Sequence, residues 1–182
     1  MHTSVISFVG RALTAYDVDR KRLLEVGSRN INGSGRRLAF NGMAPESYLG
    51  IDMLPGPGVD VVMKAEELPL RYPPGTFETL LCLETLEHVE FWRAAVLACK
   101  LMLAPDGILI MTTRSPGFPL HAYPSDFWRF TVEDFRAIFA DFEILILEKD
   151  PQEGHPGVFL KARKPKGWKP ANLDAIQVKS VG

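Results

Sequence analysis

The 182-residue sequence predicts one α/β domain, a mostly parallel sheet with helices on both faces. Two observations carry this. Short apolar runs alternate with segments of helical periodicity through most of the chain, the pattern of strands buried on both sides. The composition, 46% hydrophobic and 24% charged, is that of an ordinary globular domain and leaves little room for a second one.

The elements follow in order. Val5, Ile6, Phe8, Val9, Leu13 and Tyr16 make the first segment an amphipathic helix over residues 1–20 that packs on the core, with no basic leader before it. Arg22–Gly27 is a buried strand that feeds a turn-rich loop, SRNINGSG. A short helix follows near Arg36–Phe40, then strands at Tyr48–Asp52 and Val59–Met63 around the stiff turn LPGPG. Phe77–Leu83 is a fourth strand. Phe91–Leu103 has helical spacing and stops at Ala104-Pro-Asp-Gly107. Ile108–Thr112 is a fifth strand, and residues 115–130 form a loop rich in proline and aromatics. Thr131-Val-Glu-Asp134 is a loose capping box opening a helix to about Ala140. Phe142–Leu147 and Gly157–Ala162 are the last strands, and residues 164–182 read as a loose basic tail.

Net charge is −1, unevenly placed: Lys161 to the end carries +5 and residues 1–160 carry −6. An acidic body argues against broad phosphate-backbone binding, so nucleic acid is not the expected partner. The tail reads either as a solvated end or as a contact with an anionic ligand. Cys82 and Cys99 lie in apolar surroundings, as reduced thiols of a cytoplasmic protein do, and neither stands at metal-ligand spacing, so no metal is assigned. No apolar run reaches the roughly 18–20 residues of a membrane span.

Ligands in such sheets sit beyond the carboxyl ends of the strands. There the sequence places Glu25-Val-Gly27 with Gly33, then Asp52 25 residues after Gly27, then Ala65-Glu66. Glycine lets backbone approach a ligand, and an acid at the second strand end can accept both hydroxyls of a ribose. Together with LLEVGSRNING, YLGIDMLPGPGVDVV, KAEELP, FETLLCLETLEHV, LAPDGILIMTT and HAYPSDFWRFTVEDFRAIF, these residues resemble the class I S-adenosylmethionine-dependent methyltransferases, over about Arg22 to Ala162.

The resemblance implies a Rossmann-like sheet of seven strands in a domain over residues 21–163, with S-adenosyl-L-methionine as cofactor. It implies that Glu25 faces the methionine amino group, and that Gly27 and Gly33 shape the loop over it. Asp52 holds the ribose, Met53 lies against the adenine with Ala65 and Glu66 near its polar edge, and Glu84 lines the methionine end. Two departures stand out: Arg29 and Ile31 occupy places the family gives to glycine, and Lys64 stands where an aspartate is common.

Methyl transfer needs alignment and removal of a proton from an O or N nucleophile. His88 and His121 are the candidate bases, with Asp126 and Tyr123 near enough in sequence to orient His121. Each has a plainer reading, as a helix cap, a packed ring or a local Asp126–Arg129 ion pair. The expected function is methylation of a small molecule, a sugar or a natural-product scaffold, by a monomer or homodimer. The alternative is a non-catalytic binding protein on the same fold. A nicotinamide dehydrogenase fits less well, because GxGxxG is absent.

Overall fold

A computed structural model describes residues 2–121 and 124–181, so Tyr123 lies outside the described residues. The chain runs α1 (Thr3–Ala12), α2 (Ala15–Val18), β1 (Arg22–Val26), α3 (Gly35–Ala39), β2 (Ser47–Asp52) and β3 (Val61–Val62). It continues through a 3-10 turn (Ala65–Glu67), α4 (Leu68–Arg71), β4 (Phe77–Leu83), a second 3-10 turn (Leu86–His88), α5 (Trp92–Met102) and β5 (Leu103–Arg114). It ends with β6 (Trp128–Arg129), α6 (Val132–Ile138), β7 (Glu143–Lys149), β8 (Gly157–Arg163) and β9 (Lys179–Ser180).

Seven strands form one sheet in the order β3-β2-β1-β4-β5-β8-β7. The pairs from β3 to β5 are parallel, and β8 is antiparallel to both neighbours. The α/β class and the seven-stranded sheet are as the sequence predicts. The third strand is shorter than expected. The fifth is longer: it starts at Leu103 directly after α5 and passes through a bulge opposite Phe77–Thr79, with Asp106 at φ 63.

Alternation along the strands sends side chains to two cores. On one face Leu24, Val26, Leu80, Cys82 and Leu109 pack with Trp92, Val96, Cys99 and Met102 of α5 and with Phe135, Ile138 and Phe139 in and just beyond α6. On the other, Leu23, Leu81, Leu83 and Ile110 meet Val5, Phe8, Val9 and Ala12 of α1, with Phe8 stacked on Phe159 at 4.9 Å. The apolar residues of α1 recur at one face, which is why it docks on the sheet, but the single helix expected over residues 1–20 is two, α1 and α2, with Ile6 and Tyr16 exposed. The capping box of α6 closes both ways: Asp134 N–H donates to Thr131 Oγ1 at 3.1 Å, and Thr131 N–H donates to Asp134 Oδ2 at 2.7 Å. Cys82 and Cys99 are buried free thiols, and burial pushes Cys99 up to about 12.

The tail is not loose. Lys164 is buried and its Nζ donates to the carbonyls of Lys100 and Leu103, satisfying the open end of α5. Trp168 Nε1 donates to Asp141, Arg93 donates to the carbonyls of Leu173 and Ile176, and β9 pairs with β6. Lys161 is buried against Asp17 at 2.7 Å. Two of the six positive charges at this end therefore serve the fold.

Candidate active site

The strand order turns back between β1 and β4. A cavity of about 520 Å³ opens there, bordered by residues at the carboxyl ends of β1, β2 and β4. This is where open α/β sheets hold ligands.

One side of the cavity is made by backbone. Gly27 turns the chain at φ 76, and a Cβ there would fall 2.0 Å from Thr85 Oγ1, so both conformation and space demand glycine. The N–H groups of Gly27 and Ser28 both donate to the Ile51 carbonyl at 2.9 Å, which ties the loop to the end of β2. Asn30 N–H donates to the Pro57 carbonyl at 2.8 Å, so the LPGPG turn backs the loop. Asp52 borders the cavity; its two carboxylate oxygens accept the N–H groups of Leu54 at 2.9 Å and Arg29 at 3.2 Å. Met53, 47% exposed, borders it as well, with Ala65, Glu66 and Glu84.

Two expected residues stand elsewhere. Gly33 does not border the cavity: its N–H caps the Asn30 side chain at 3.1 Å, and Arg29, Ile31 and Asn32 supply the wall. Glu25 shares with Leu23 the sheet face covered by the N-terminal helices, not the strand end. Its carboxylate accepts Gly35 N–H at 3.0 Å and Tyr48 O–H at 2.8 Å, so it holds the start of α3 to the sheet. Burial pushes it up to about 7 against the pull of those hydrogen bonds.

Glu84 stands at φ 50 just past β4. Its carboxylate accepts the His2 N–H at 2.9 Å and forms an ion pair with Arg114. Arg114 is fully buried and also binds Asp150 at 3.0 Å. His2 borders the cavity, and burial, then the Arg114 charge, lower its pKa to about 4, so its ring is neutral at pH 7.

The other wall is made by side chains. The rings of His88 and His121 both border the cavity and meet edge to face at 4.8 Å. His88 Nδ1 lies 2.5 Å from the Ser125 carbonyl, and His121 Nδ1 lies 3.0 Å from Asp126 Oδ2. Burial lowers both imidazoles below the ordinary histidine value, against the pull of Asp126. Asp126, named with the candidate catalytic groups as the residue that would orient His121, has a fully covered side chain and does not border the cavity; two N–H groups of Arg129 hold it at 2.5 and 2.7 Å. Burial raises its carboxyl, but the hydrogen bonds from Arg129 and His121 outweigh that and bring it to about 2. It therefore positions His121 and takes no proton at neutral pH.

Sequence reasoning passed over His2, Arg114 and Glu87. His2 and Glu84 are 82 residues apart, so no local pattern joins them. Glu87 carried one signal: an acid that directly follows the apolar Leu86 in a turn after a buried strand. Its Oε2 accepts Thr113 O–H at 2.8 Å, and burial raises its carboxyl to about 7.

Residues 24–111 match the family model described as a methyltransferase domain. The ubiquinone biosynthesis O-methyltransferase of Xanthomonas euvesicatoria pv. vesicatoria (strain 85-10) is 38% identical over 58 residues, 32% of this chain; the match spans only about a quarter, 24%, of that protein. Among solved structures, an S-adenosylmethionine-dependent methyltransferase from Mesorhizobium loti superposes with TM-score 0.69 and 16% identity, over 89% of this chain and 98% of that one. The 1,6-didemethyltoxoflavin-N1-methyltransferase of Burkholderia thailandensis, solved with S-adenosylhomocysteine, superposes with TM-score 0.63 and 16% identity, over 89% of this chain and 79% of that one. These structures share the fold.

Proposed function

We propose, for a chain whose residues 24–111 match the methyltransferase-domain model, that it transfers a methyl group from S-adenosyl-L-methionine to an oxygen or nitrogen of a small molecule. The observation that supports this best is the position of Asp52. Each of its carboxylate oxygens accepts one backbone N–H and retains acceptor capacity toward a cavity sized for a small molecule, so two ribose hydroxyls can be received there. Met53 offers an exposed thioether beside it, and Glu84 borders the same space. The fit of these residues supports the cofactor, although Gly33 and Glu25 take no direct part.

When bound, the cofactor supplies a methyl group already activated on a sulfonium, so the protein's work is alignment and proton removal. His88 and His121 stand where an acceptor would meet them. Both are held neutral at pH 7, ready to accept a proton. A sugar or natural-product scaffold suits a cavity that mixes Asp52, Glu84 and two imidazoles with Val26, Ile51 and Phe127. No helix among the described residues is long and apolar enough to cross a membrane, and the reading places the enzyme in the cytoplasm, as a monomer or homodimer.

A non-catalytic binding protein is the second reading, favoured by Arg29 and Ile31, which put side chains on the wall where the family has glycine. Titration calorimetry with S-adenosylmethionine tests the cofactor site: saturable micromolar heat is expected, and no heat from folded protein overturns it. Transfer of labelled methyl to a panel of hydroxyl and amine acceptors then separates enzyme from binder.

A further inference from the structure

We propose that Glu87, His88 and His121 form a binding site for a divalent transition-metal ion of the zinc class, in the wall of the active-site cavity. One donor atom from each lies within 4.8 Å of the others.

The protonation of each group follows from what surrounds it. The Ser125 carbonyl can only accept, so the His88 nitrogen 2.5 Å from it carries the hydrogen, and Nε2 keeps its lone pair. His121 Nδ1 lies 3.0 Å from the Asp126 carboxylate, out of line for a hydrogen bond; Arg129 keeps that carboxylate anionic, and its charge favours the hydrogen on the nearer ring nitrogen. His121 Nε2 then keeps its lone pair, and Glu87 Oε1 lies 3.9 Å from it. Glu87 is wholly buried; Thr113 satisfies Oε2, but Oε1 has no hydrogen-bond partner. A buried carboxylate oxygen without a donor is costly, and a cation is the group that would satisfy it.

His88 gives its second nitrogen to a carbonyl, as metal-binding histidines do, and the Asp126 carboxylate stands beside the second nitrogen of His121. Two imidazoles and one carboxylate favour zinc-like ions over magnesium or calcium, which prefer all-oxygen shells. Bonds of about 2.0–2.1 Å need donor atoms about 3–3.5 Å apart, so the three close by roughly an ångström on binding. Because both histidines border the cavity, the remaining coordination position faces it. Three protein ligands with one open position is the pattern of catalytic rather than structural zinc.

The site's role, unlike its existence, rests on the methyltransferase reading. The open position takes an oxygen donor of the acceptor and lowers the pKa of its hydroxyl, whose proton passes to solvent. The substrate class then narrows to hydroxyl acceptors. With metal bound, His121 Nε2 is a ligand and no longer a base.

The test uses tag-free full-length chain, stripped with chelator and dialysed. Zn²⁺ titration by calorimetry is expected to give one equivalent per chain at about 10 µM or tighter, and Co²⁺ a visible absorption band. E87Q, H88N and H121N should each weaken binding at least about tenfold, while H155N, outside the cluster, should not. Circular dichroism and melting confirm that each variant is folded. Absence of saturable binding, or binding indifferent to all three variants, overturns the site. S-adenosylmethionine titrated into the stripped protein keeps the two readings apart. Cofactor binding without metal binding sinks the metal site alone, and metal binding without cofactor binding sinks the cofactor reading alone.

Discussion

The two walls of the cavity are built by different means. The wall at the ends of β1 and β2 is backbone: turns at Gly27 and LPGPG, carbonyls paired to N–H groups, and Asp52 fixed by two amides close by in sequence or space. The wall formed by the turn after β4 and the loop after β5 presents the rings of His88 and His121, backed from behind by the polar side chains of Arg129, Asp126, Glu87 and Thr113. Backbone geometry survives most substitutions, whereas a buried polar network fails when one member is lost. The first wall suits a constant ligand, the second a ligand that varies or is deprotonated.

Four changes would break or sharpen that contrast. The largest effect is expected from Arg114→Met. It removes the ion pair that Arg114 makes with the fully buried side chain of Asp150, and loss of one partner from a buried pair costs about 3–5 kcal/mol. Chemical denaturation should show it, and an unchanged midpoint would mean the network carries little. Asp52→Ala should weaken S-adenosylmethionine at least about tenfold, or about 1.4 kcal/mol, by calorimetry. Near-equal affinity would refute the ribose role. His121→Ala should lower turnover while cofactor affinity holds; equal loss of both would mark a structural ring.

The last expectation is a pH slope. Glu25 and Glu87 titrate near 7 when folded and near about 4.3 when unfolded. Between those values the folded state binds more protons, so stability falls as pH rises from about 4.3 to about 7, and these groups add no further slope above that. Asp126 works oppositely: its contribution is present above about 3.9 and is lost as pH falls through about 2. Thermal melts from pH 5 to 7.5 should decline, and E25Q and E87Q should each flatten the decline. A slope unchanged in both variants would contradict the raised carboxyls.

The backbone wall was legible in the sequence because its signals are local: a glycine after an apolar run, an acid at the next strand end, a Pro-Gly turn. The direction of Glu25 was not, since strand alternation fixes its face only once α1 and α3 are known to cover that side. The imidazole wall was half legible. His88 and His121 stand out as residue types, but their tautomers depend on Ser125 and Asp126, and their common partner Glu87 lies inside the fold. The tail reads as loose in sequence because its polarity is real while its anchors, Lys164 on α5 and Trp168 on Asp141, are tertiary.

The pairing of β9 with β6 has a practical side. β6 directly follows the segment that carries His121 and Asp126, and Val181 N–H donates to the Phe127 carbonyl at 2.9 Å. A protease cut between Leu173 and Lys179 would release a strap that lies against the acceptor wall and leave the Asp52 side untouched. Nicked protein should therefore still bind nucleoside while handling acceptors poorly, which makes the integrity of the last ten residues a quality check for any preparation used in the assays above.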